Sequence, residues 1–382
     1  MPSLAHADDH SLFTAVSVGA LRLPNRIVMA PMTRSRAGDD GVPSEHAALY
    51  YAQRAGAGLI VAEATQPSPG AQGYPRTPGI HTEAQISAWR NVTTAVHRAG
   101  GRIALQLWHC GRIAHPDNQP PGCRPVGPSA VAARGRIFTS PGLRDLPVPH
   151  ALSQGEIRTI IDEFAAAARN AVAAGFDAVE LHGANGYLID AFLHDQANRR
   201  QDRYGGTLAN RTRLLLETCE AMSAAIGADR VGLRLSPFGT FNDAIDSDSR
   251  ALFAYVIPAV ARLGLAYLHV INLEVTGDRS SGRAGEDVCR FARERYDGTL
   301  IAAGGYDRDS AEHALSRGDA DLVAFGRAFI ANPDLPLRFA QGWPLAAADR
   351  ATFYAGGPRG YIDYPAHSGS PAIPSTSMEA AS

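Results

Sequence analysis

Short apolar runs alternate with longer amphipathic segments over most of this chain. Each short run is bounded by polar, glycine or proline residues, which predicts a strand buried on both faces. Each longer segment repeats its apolar positions with the period of a helix. The segment 153–174 is the clearest helix, because Ser153 and Glu156 have capping-box spacing and Gly175 follows its end. The predicted strands cover residues 26–29, 59–64, 103–108, 178–181, 231–235, 267–271, 300–303 and 322–325, and the predicted helices cover 44–55, 83–99, 153–174, 208–226, 249–263, 284–296, 310–316 and 328–339.

Eight strand-then-helix units in one chain favour a closed barrel over an open doubly wound sheet. We therefore predict the α/β class, with a single (β/α)8 TIM barrel over residues 11–365. The run at 16–22 predicts a small N-terminal hairpin at the bottom of the barrel. Residues 109–152 are rich in Pro and Gly and follow the third strand, so we expect a lid segment over the mouth. Residues 1–10 are expected to form a tail, and residues 366–382, which are small and polar, a disordered tail.

Composition narrows the choice of partners. A net charge of -2 argues against a nucleic acid or an anionic membrane surface as a partner. No apolar run approaches the ~20 residues that span a bilayer. The first ten residues lack the basic-then-apolar order of a signal peptide. We expect a soluble, cytoplasmic protein.

The basic residues exclude several kinds of chemistry. All 36 of them are arginine, and the chain contains no lysine. Schiff-base aldolases, pyridoxal phosphate enzymes and Walker-type phosphate loops each need a lysine, so all three are excluded. The four cysteines are too sparse for a disulfide framework or an iron–sulfur cluster. No His and Glu motif with metal-ligand spacing stands at a strand end, so we expect no metal site.

The most informative segment is VELHGANGYL, at residues 179–188. His182, Asn185 and Tyr187 follow directly on the fourth predicted strand. Two hydrogen-bonding side chains and a phenol can bind an oxygen and deliver a proton. Polar residues at the carboxyl ends of barrel strands usually serve chemistry rather than stability. By itself the cluster is only suggestive, because a His beside a Gly is as often structural as catalytic.

Two glycine turns suggest a phosphate site. The sequence AAGGY follows the seventh strand and FGR follows the eighth, which is the usual phosphate position in this kind of barrel. Glycines there let backbone N–H groups approach an anion, and Arg327 adds a positive charge. Neither turn is a G-x-G-x-x-G fingerprint, so a mononucleotide is favoured over a dinucleotide as the tightly held ligand.

Other strand ends are polar in a way that suits a flat heterocycle. Thr33 follows the first strand, Gln106 and Trp108 lie at the end of the third, and Arg234 lies in the fifth. A buried Arg or Gln is costly unless a ligand or partner satisfies it. From the residues alone, a metal- or acid/base-dependent lyase or isomerase on a phosphate-binding barrel remains an alternative explanation of these strand ends.

Together these motifs resemble one family. The segments NRIVMAPMTRSRA, AEAT, QLWHCGR, VELHGANGYL, RYGGTLANR, AFGRAFIANPDL and GYIDYP are similar to those of the Old Yellow Enzyme family of FMN-dependent ene-reductases. The resemblance runs from about residue 12 to 365 and is nearest to the branch of N-ethylmaleimide, pentaerythritol tetranitrate and xenobiotic reductases. It implies tightly bound, non-covalent FMN and either NADPH or NADH as hydride donor.

The resemblance also implies roles for individual residues. Thr33 would bind the flavin O4, Gln106 the pyrimidine edge, and Arg234 the N1 and O2 side. His182 and Asn185 would bind the activating oxygen of the substrate, and Tyr187 would donate the final proton, so these three are the expected catalytic residues. The expected cofactor-binding set is Pro31, Met32, Thr33, Ala64, Gln106, His182, Arg234, Gly304, Gly305, Gly326 and Arg327, and the expected substrate-binding set is Tyr74, Trp108, His182, Asn185, Tyr187 and Tyr354.

The implied function is NAD(P)H-dependent reduction of activated C=C bonds by ping-pong hydride transfer. The alternative from a different class is a flavin-binding protein without turnover, such as a sensor or storage barrel. The implied substrates are small α,β-unsaturated carbonyls, maleimides and nitroalkenes, with nitro compounds and nitrate esters as further candidates. The implied assembly is a monomer or small homo-oligomer. Thr33 replaces the Cys of the thermophilic-type branch and Asn185 the His of some relatives, which leaves substrate preference open. Residues 130–147 match the family least well, and nicotinamide contacts are expected there.

Overall fold

Eight parallel strands close into a barrel in the computed structural model of this chain, which describes residues 11–272 and 287–370. Each barrel strand pairs with the next one along the chain, and the eighth pairs with the first. The predicted (β/α)8 barrel is therefore confirmed. The strands are β1 (Val16–Val18), β2 (Leu21–Leu23), β3 (Ile27–Met29), β4 (Leu59–Thr65), β5 (Ile103–Leu107), β6 (Val126–Gly127), β7 (Arg136–Thr139), β8 (Gly142–Asp145), β9 (His150–Ala151), β10 (Ala178–His182), β11 (Val231–Leu235), β12 (Tyr267–Ile271), β13 (Leu300–Ala303) and β14 (Leu322–Phe325).

Helices surround the barrel, and local sequence determines where several of them begin. Helix α3 starts at the predicted capping box, in which the Ser153 hydroxyl accepts from the Glu156 N–H and the Glu156 carboxylate accepts from the Ser153 N–H. Thr82 and Gln85 cap α2 in the same way. The helices are α1 (Ala47–Ala52), α2 (Glu83–Arg98), α3 (Gln154–Ala173), α4 (Leu188–Leu193), α5 (Leu208–Ile226), α6 (Ser249–Ala261), α7 (Val288–Arg293), α8 (Arg308–Ser316), α9 (Arg327–Ala331) and α10 (Leu335–Gln341).

The N-terminal hairpin closes the barrel at the amino ends of its strands, as predicted. Strands β1 and β2 pair antiparallel, and their inward residues Val18 and Leu23 are fully buried. These two side chains belong to the same apolar cluster as the lowest inward residues of the barrel, such as Leu59 and Ala178. The Ala20 N–H also donates to the Asp229 carbonyl at 2.9 Å. This closure leaves the carboxyl ends of the strands for a functional site.

The predicted lid segment, residues 109–152, folds as an extra hairpin. Strands β7 and β8 form an antiparallel pair, and β6 and β9 form a short parallel pair. Asp243, in the loop after β11, ties the lid segment to the barrel. Its carboxylate accepts from Arg134 Nε at 2.8 Å, and its carbonyl accepts from Arg112 Nη2 at 2.7 Å. The lid segment is therefore attached to the loop that follows β11, the fifth strand of the barrel.

The predicted helix at 328–339 is wrong as a single element, because α9 and α10 replace it. Pro333 disfavours helical geometry at the residue before it, and Asn332 has φ -128° and ψ 83°. The Asn332 side chain then replaces the lost helical bonds, since Nδ2 donates to the Ala328 carbonyl at 2.8 Å and Oδ1 accepts from the Ala346 N–H at 2.8 Å.

Other predicted bounds also change. The predicted helix 44–55 shrinks to α1, and the described part of the predicted helix 284–296 is α7, with residues 284–286 outside the described chain. The predicted N-terminal tail and residues 371–382 also lie outside it. Residues 366–370 are not the free tail that was expected. The His367 N–H and the Ser370 hydroxyl both donate to Asp334, at 2.7 and 2.6 Å.

Within the described residues, no helix has the length and apolar character needed to cross a bilayer. In the same part of the chain, His, Cys, Asp and Glu side chains form no group of three that could hold a metal ion.

Candidate active site

The polar residues expected at the strand ends meet at the carboxyl end of the barrel. Strand β10 lies between β5 and β11, so Gln106 pairs in register with Glu180 and His182 pairs with Arg234. All four side chains are buried. The closed sheet thus brings together residues from three strands that are far apart in sequence.

The loop after β10 holds Asn185 in an uncommon conformation. Asn185 has φ 60° and Gly186 has φ 75°, in the left-handed region that non-glycine residues seldom adopt. Three hydrogen bonds stabilise this backbone. The Asn185 N–H donates to Ser236 Oγ at 2.9 Å, Asn242 Nδ2 donates to the Asn185 carbonyl at 2.8 Å, and the Gly186 N–H donates to Asp190 Oδ2 at 2.7 Å. The Asn185 side-chain amide makes no hydrogen bond within the described residues, so it remains available to a ligand.

His182 is a neutral hydrogen-bond donor in this setting. Burial, with a smaller contribution from the Arg234 charge, lowers its pKa to about 3. Its Nδ1 accepts from the Ala184 N–H at 3.3 Å. A neutral imidazole carries one hydrogen, so the hydrogen lies on Nε2.

This protonation state predicts how activity depends on pH. A His with an ordinary pKa near 6.5 would change charge within the working range, whereas His182 stays neutral down to about pH 3. Its donor therefore does not change between about pH 5 and pH 8. We therefore expect His182 to cause no inflection near pH 6.5 in the pH profile of kcat for enone reduction. In that pH region the wild type and His182→Gln should have profiles of the same shape. A steady-state pH profile of both proteins measures this, and an inflection present only in the wild type would contradict it.

Tyr187 lies beside His182 as a protonated phenol. Its hydroxyl is 3.4 Å from the Tyr74 hydroxyl, and its ring makes edge contacts with Trp108 and His182 at centroid distances of 4.9 and 5.1 Å. Burial raises the pKa of Tyr187 well above its ordinary value of 10. The group therefore holds its proton throughout the physiological range and can serve as an acid.

An aromatic wall borders these residues. Tyr74 stacks on Trp108 at 5.8 Å, and Trp108 stacks on His182 at 6.3 Å. Tyr354, expected in the same wall, instead has 64% of its surface exposed, and its carbonyl accepts from Arg76 Nη2 at 3.0 Å. The structure therefore brings Tyr74 and Trp108 into the cluster and leaves Tyr354 at the surface.

Sequence reasoning missed a buried charge network below these residues. Glu180 and His269 are both 0% exposed, and Glu180 Oε2 lies 2.9 Å from His269 Nδ1. Glu180 Oε1 accepts from Gln106 Nε2 at 2.7 Å. Burial alone would raise the pKa of Glu180, but the contacts with His269, Arg234 and Gln106 outweigh it and leave that pKa lowered. The signal was available in the sequence, since a carboxylate inside an apolar barrel strand needs polar partners.

The loop after β3 is fixed by a second buried carboxylate. Glu63 Oε2 accepts from the Arg34 N–H at 3.2 Å, directly after Thr33. Pro31, Met32 and Thr33 are half-buried there, and Ala64 is buried at the end of β4. Arg34 and Arg36 donate to backbone carbonyls of the C-terminal segment. Arg34 Nη2 donates to the Gly360 carbonyl at 2.7 Å, and Arg36 Nη2 donates to the Arg359 carbonyl at 2.9 Å.

The two glycine turns that were expected to bind a phosphate follow β13 and β14. Gly304 and Gly305 have φ 110° and 76°, which favour glycine strongly. Gly326 precedes α9, and Arg327 is exposed at the first position of that helix. The ends of β13 and β14 are adjacent, so the two turns are neighbours.

The cluster fits a planar ligand with carbonyl and ring-nitrogen groups. Four buried polar atoms here have no hydrogen-bond partner within the described residues, namely Trp108 Nε1, Arg234 Nε, the Tyr267 hydroxyl oxygen and His269 Nε2. Unpaired buried polar atoms are costly, so such a group of them indicates that a ligand supplies the missing partners. With the glycine turns and Arg327, the donor set suits FMN.

Comparisons with known proteins agree with this geometry. Residues 11–346 match the NADH:flavin oxidoreductase / NADH oxidase family. The chain is 46% identical over 361 residues to 12-oxophytodienoate reductase 1 of Oryza sativa subsp. japonica, covering 93% of this chain and 92% of that one. It is 44% identical over 353 residues to a probable flavin mononucleotide-dependent alkene reductase of Leishmania infantum, covering 91% of this chain and 95% of the relative.

Solved structures are similar as well. The Old Yellow Enzyme homologue of Zymomonas mobilis superposes with a TM-score of 0.89 at 42% identity, covering 93% of this chain and 99% of the other. Morphinone reductase in complex with tetrahydroNAD superposes with a TM-score of 0.88 at 45% identity, covering 94% and 98%.

Proposed function

This chain belongs to the Old Yellow Enzyme family of FMN-dependent NADH:flavin oxidoreductases, and on that premise we propose that it reduces activated carbon–carbon double bonds. The proposed substrates are small α,β-unsaturated carbonyls, maleimides and nitroalkenes, with nitro compounds and nitrate esters as further candidates. Either NADPH or NADH would supply the hydride. The observation that carries the proposal is that His182, Asn185 and Tyr187 lie at the carboxyl end of β10, where the His182 and Tyr187 rings are in edge contact at 5.1 Å and Asn185 is held at φ 60°.

Several strand-end residues would hold FMN, and among them Arg234 has a buried Nε atom without a hydrogen-bond partner in the described residues. Arg234 would face the N1 and O2 side, Gln106 the pyrimidine edge, and Thr33 the O4 atom. Pro31, Met32 and Ala64 would line the ring. Gly304, Gly305, Gly326 and Arg327 would bind the phosphate. Bound FMN supplies hydride transfer between the nicotinamide and the substrate.

His182 and Asn185 would activate the substrate through its oxygen. The Nε2–H of His182 and the side-chain amide of Asn185 can both donate to a carbonyl or nitro oxygen. These donors withdraw electrons from the conjugated double bond and stabilise the negative charge that develops on the oxygen. Because hydrogen bonds hold the His182 ring and the Asn185 backbone before the substrate binds, little energy would be lost in reorganising this part of the site.

Tyr187 would complete the reduction with a proton. Its O–H bond breaks as a C–H bond forms at the carbon next to the activating group, and the excess charge on the substrate is neutralised. The phenolate left on Tyr187 then takes a proton from solvent, since its high pKa favours the phenol. The Tyr74 and Trp108 rings would limit the access of water to this step.

The lid segment would help to select what enters the site. Arg134, two residues before the β7–β8 hairpin, donates to Asp243, and Asp243 follows Asn242, which donates to the Asn185 carbonyl. We expect nicotinamide contacts from residues 130–147. We also expect a cytoplasmic monomer or small homo-oligomer of the N-ethylmaleimide, pentaerythritol tetranitrate and xenobiotic reductase branch.

The proposal is tested by spectroscopy on the purified protein. We expect a yellow protein that releases about one FMN per chain on denaturation. Under anaerobic conditions NADH or NADPH should bleach the flavin band, and 2-cyclohexenone, N-methylmaleimide or a nitroalkene should restore it. A colourless protein that takes up no FMN would contradict cofactor binding. A flavoprotein bleached by nicotinamide but reoxidised by none of these alkenes would contradict the proposed reaction.

A further inference from the structure

We propose that Glu180 is a positioning residue that sets the orientation of Gln106 and the electrostatic field below the cofactor. This inference rests on the proposed function, because it takes FMN as the ligand above Gln106 and Arg234. Glu180 is two positions before His182 on β10, so both side chains point into the barrel, with Glu180 one layer deeper. It therefore acts on the site through its neighbours and makes no contact with the substrate.

The orientation of Gln106 follows from its hydrogen bond to Glu180. The two ends of a Gln amide differ chemically, and only the Nε2 end can donate. The contact with Glu180 Oε1 is 2.7 Å, and an ionised carboxylate only accepts, so Nε2 must face Glu180. Gln106 Oε1 accepts no hydrogen bond from any other part of the described chain, which leaves it for a donor such as the flavin N3–H. Without Glu180 either end of the amide could face the ligand.

Glu180 is itself held by His269. The carboxylate accepts at Oε2, so His269 Nδ1 must carry the hydrogen of this 2.9 Å contact. Burial lowers the pKa of His269, so the imidazole is neutral and adds no charge to the pair. The Tyr267 ring packs against the backbone of Gly232, where a Cβ would come within 2.2 Å of the ring, and Tyr267 also interacts electrostatically with Glu180.

The charges of the network set the field at the cofactor. Titratable or charged groups that interact electrostatically with Glu180 are Arg234, His269, His182 and Tyr267. Both histidines are neutral, and Tyr267 has a pKa far above 10. One positive and one negative charge therefore remain, on Arg234 and Glu180. Reduced flavin carries negative charge near N1, so Arg234 favours reduction and Glu180 opposes it.

The alternative is that Glu180 only fills and stabilises the barrel. An apolar residue would fill this layer at less cost, because a buried charge must recover its lost hydration from its partners. A purely structural carboxylate would leave the redox behaviour of the site unchanged when replaced by its neutral isostere. The redox potential of FMN therefore separates the two explanations.

The test compares Glu180→Gln with Asp177→Asn in the holoenzyme. Asp177 is a matched control, because its carboxylate also bridges to β5, accepting from the Ile103 N–H at 2.8 Å, but at the amino end of the barrel. We expect a more positive FMN midpoint potential in Glu180→Gln and an unchanged potential in Asp177→Asn, measured by dye-coupled anaerobic reduction. We also expect faster FMN release from Glu180→Gln on dilution, because Gln106 is no longer held in one orientation.

A second variant separates charge from orientation. Glu180→Asp keeps the charge but shortens the side chain, so it should release FMN faster with little change in potential. It also keeps the test decisive if Glu180→Gln does not fold.

In a Gln106→Ala background, adding Glu180→Gln should no longer affect FMN release. An FMN-loaded, enone-reducing Glu180→Gln with wild-type potential and release rate would overturn this inference alone, whereas a wild-type chain that takes up no FMN would overturn the proposed function.

Discussion

Replacing Tyr187 with phenylalanine is expected to slow alkene reduction by about 10²–10⁴-fold, the usual range for loss of a general acid. The variant keeps the ring contacts with Trp108 and His182 and loses only the hydroxyl. Proton delivery to the substrate carbon depends on that hydroxyl, while transfer of hydride from the nicotinamide to the flavin does not. Anaerobic stopped-flow measurements should therefore show slow reoxidation by 2-cyclohexenone and nearly normal reduction by NADH or NADPH.

The matched control for this variant is Tyr74→Phe. It removes the hydroxyl 3.4 Å from that of Tyr187 and leaves the stack on Trp108 in place. We expect a smaller loss in reoxidation than in Tyr187→Phe. Equal slowing of both half-reactions in Tyr187→Phe would show that the hydroxyl maintains the site as a whole and is not the proton donor.

Replacing His182 and Asn185 together with alanine is expected to remove most of the binding energy for the activating oxygen. A well-placed donor of this kind contributes roughly 3–4 kcal/mol to stabilising developing negative charge, or about 10²–10³-fold in rate. Phenol, whose oxygen would occupy the same position, should bind far more weakly, and its long-wavelength charge-transfer band with FMN should be lost. Titration of phenol against the flavin spectrum measures both effects.

The single variant Asn185→Ala provides the control, because it leaves the His182 donor in place. We expect weaker phenol binding than in the wild type and tighter binding than in the double variant. The three hydrogen bonds on the backbone of this loop do not involve the Asn185 side chain, so the loop should keep its shape. An unchanged phenol titration in the double variant would show that neither residue binds the oxygen.

The two buried carboxylates of the site region differ in their surroundings. Glu180 faces an imidazole donor and the Arg234 charge, and its pKa is lowered. Glu63 lies in a buried Arg and Tyr cluster, yet burial outweighs its contacts and raises its pKa to about 7. The first is therefore charged at neutral pH, whereas the second is only partly charged. A buried carboxylate acts as a fixed charge only where its partners restore the lost hydration.

Much of the architecture was predictable because its causes are local. Strand and helix periodicity, the Ser153–Glu156 capping box and the turn glycines are properties of neighbouring residues. The division of the predicted helix 328–339 was predictable as well, since Pro333 alone disfavours helix at Asn332. The proposed catalytic residues were found because they follow one strand within six positions.

The sequence by itself determined the eight strand-then-helix units, the barrel they form and the identity of the polar residues at the carboxyl ends of its strands. Only the tertiary structure decided which of these residues meet and in which chemical state. Closure of the sheet places Glu180 between Gln106 and His269, which are far apart along the chain. Tyr354 stays exposed at the surface. Burial then makes His182 neutral, and the hydrogen bond from the Ala184 N–H to Nδ1 leaves its hydrogen on Nε2. Secondary structure depends mainly on neighbouring residues and can be predicted from them. The protonation states and the contacts between distant residues depend on burial and tertiary packing, which exist only in the folded chain.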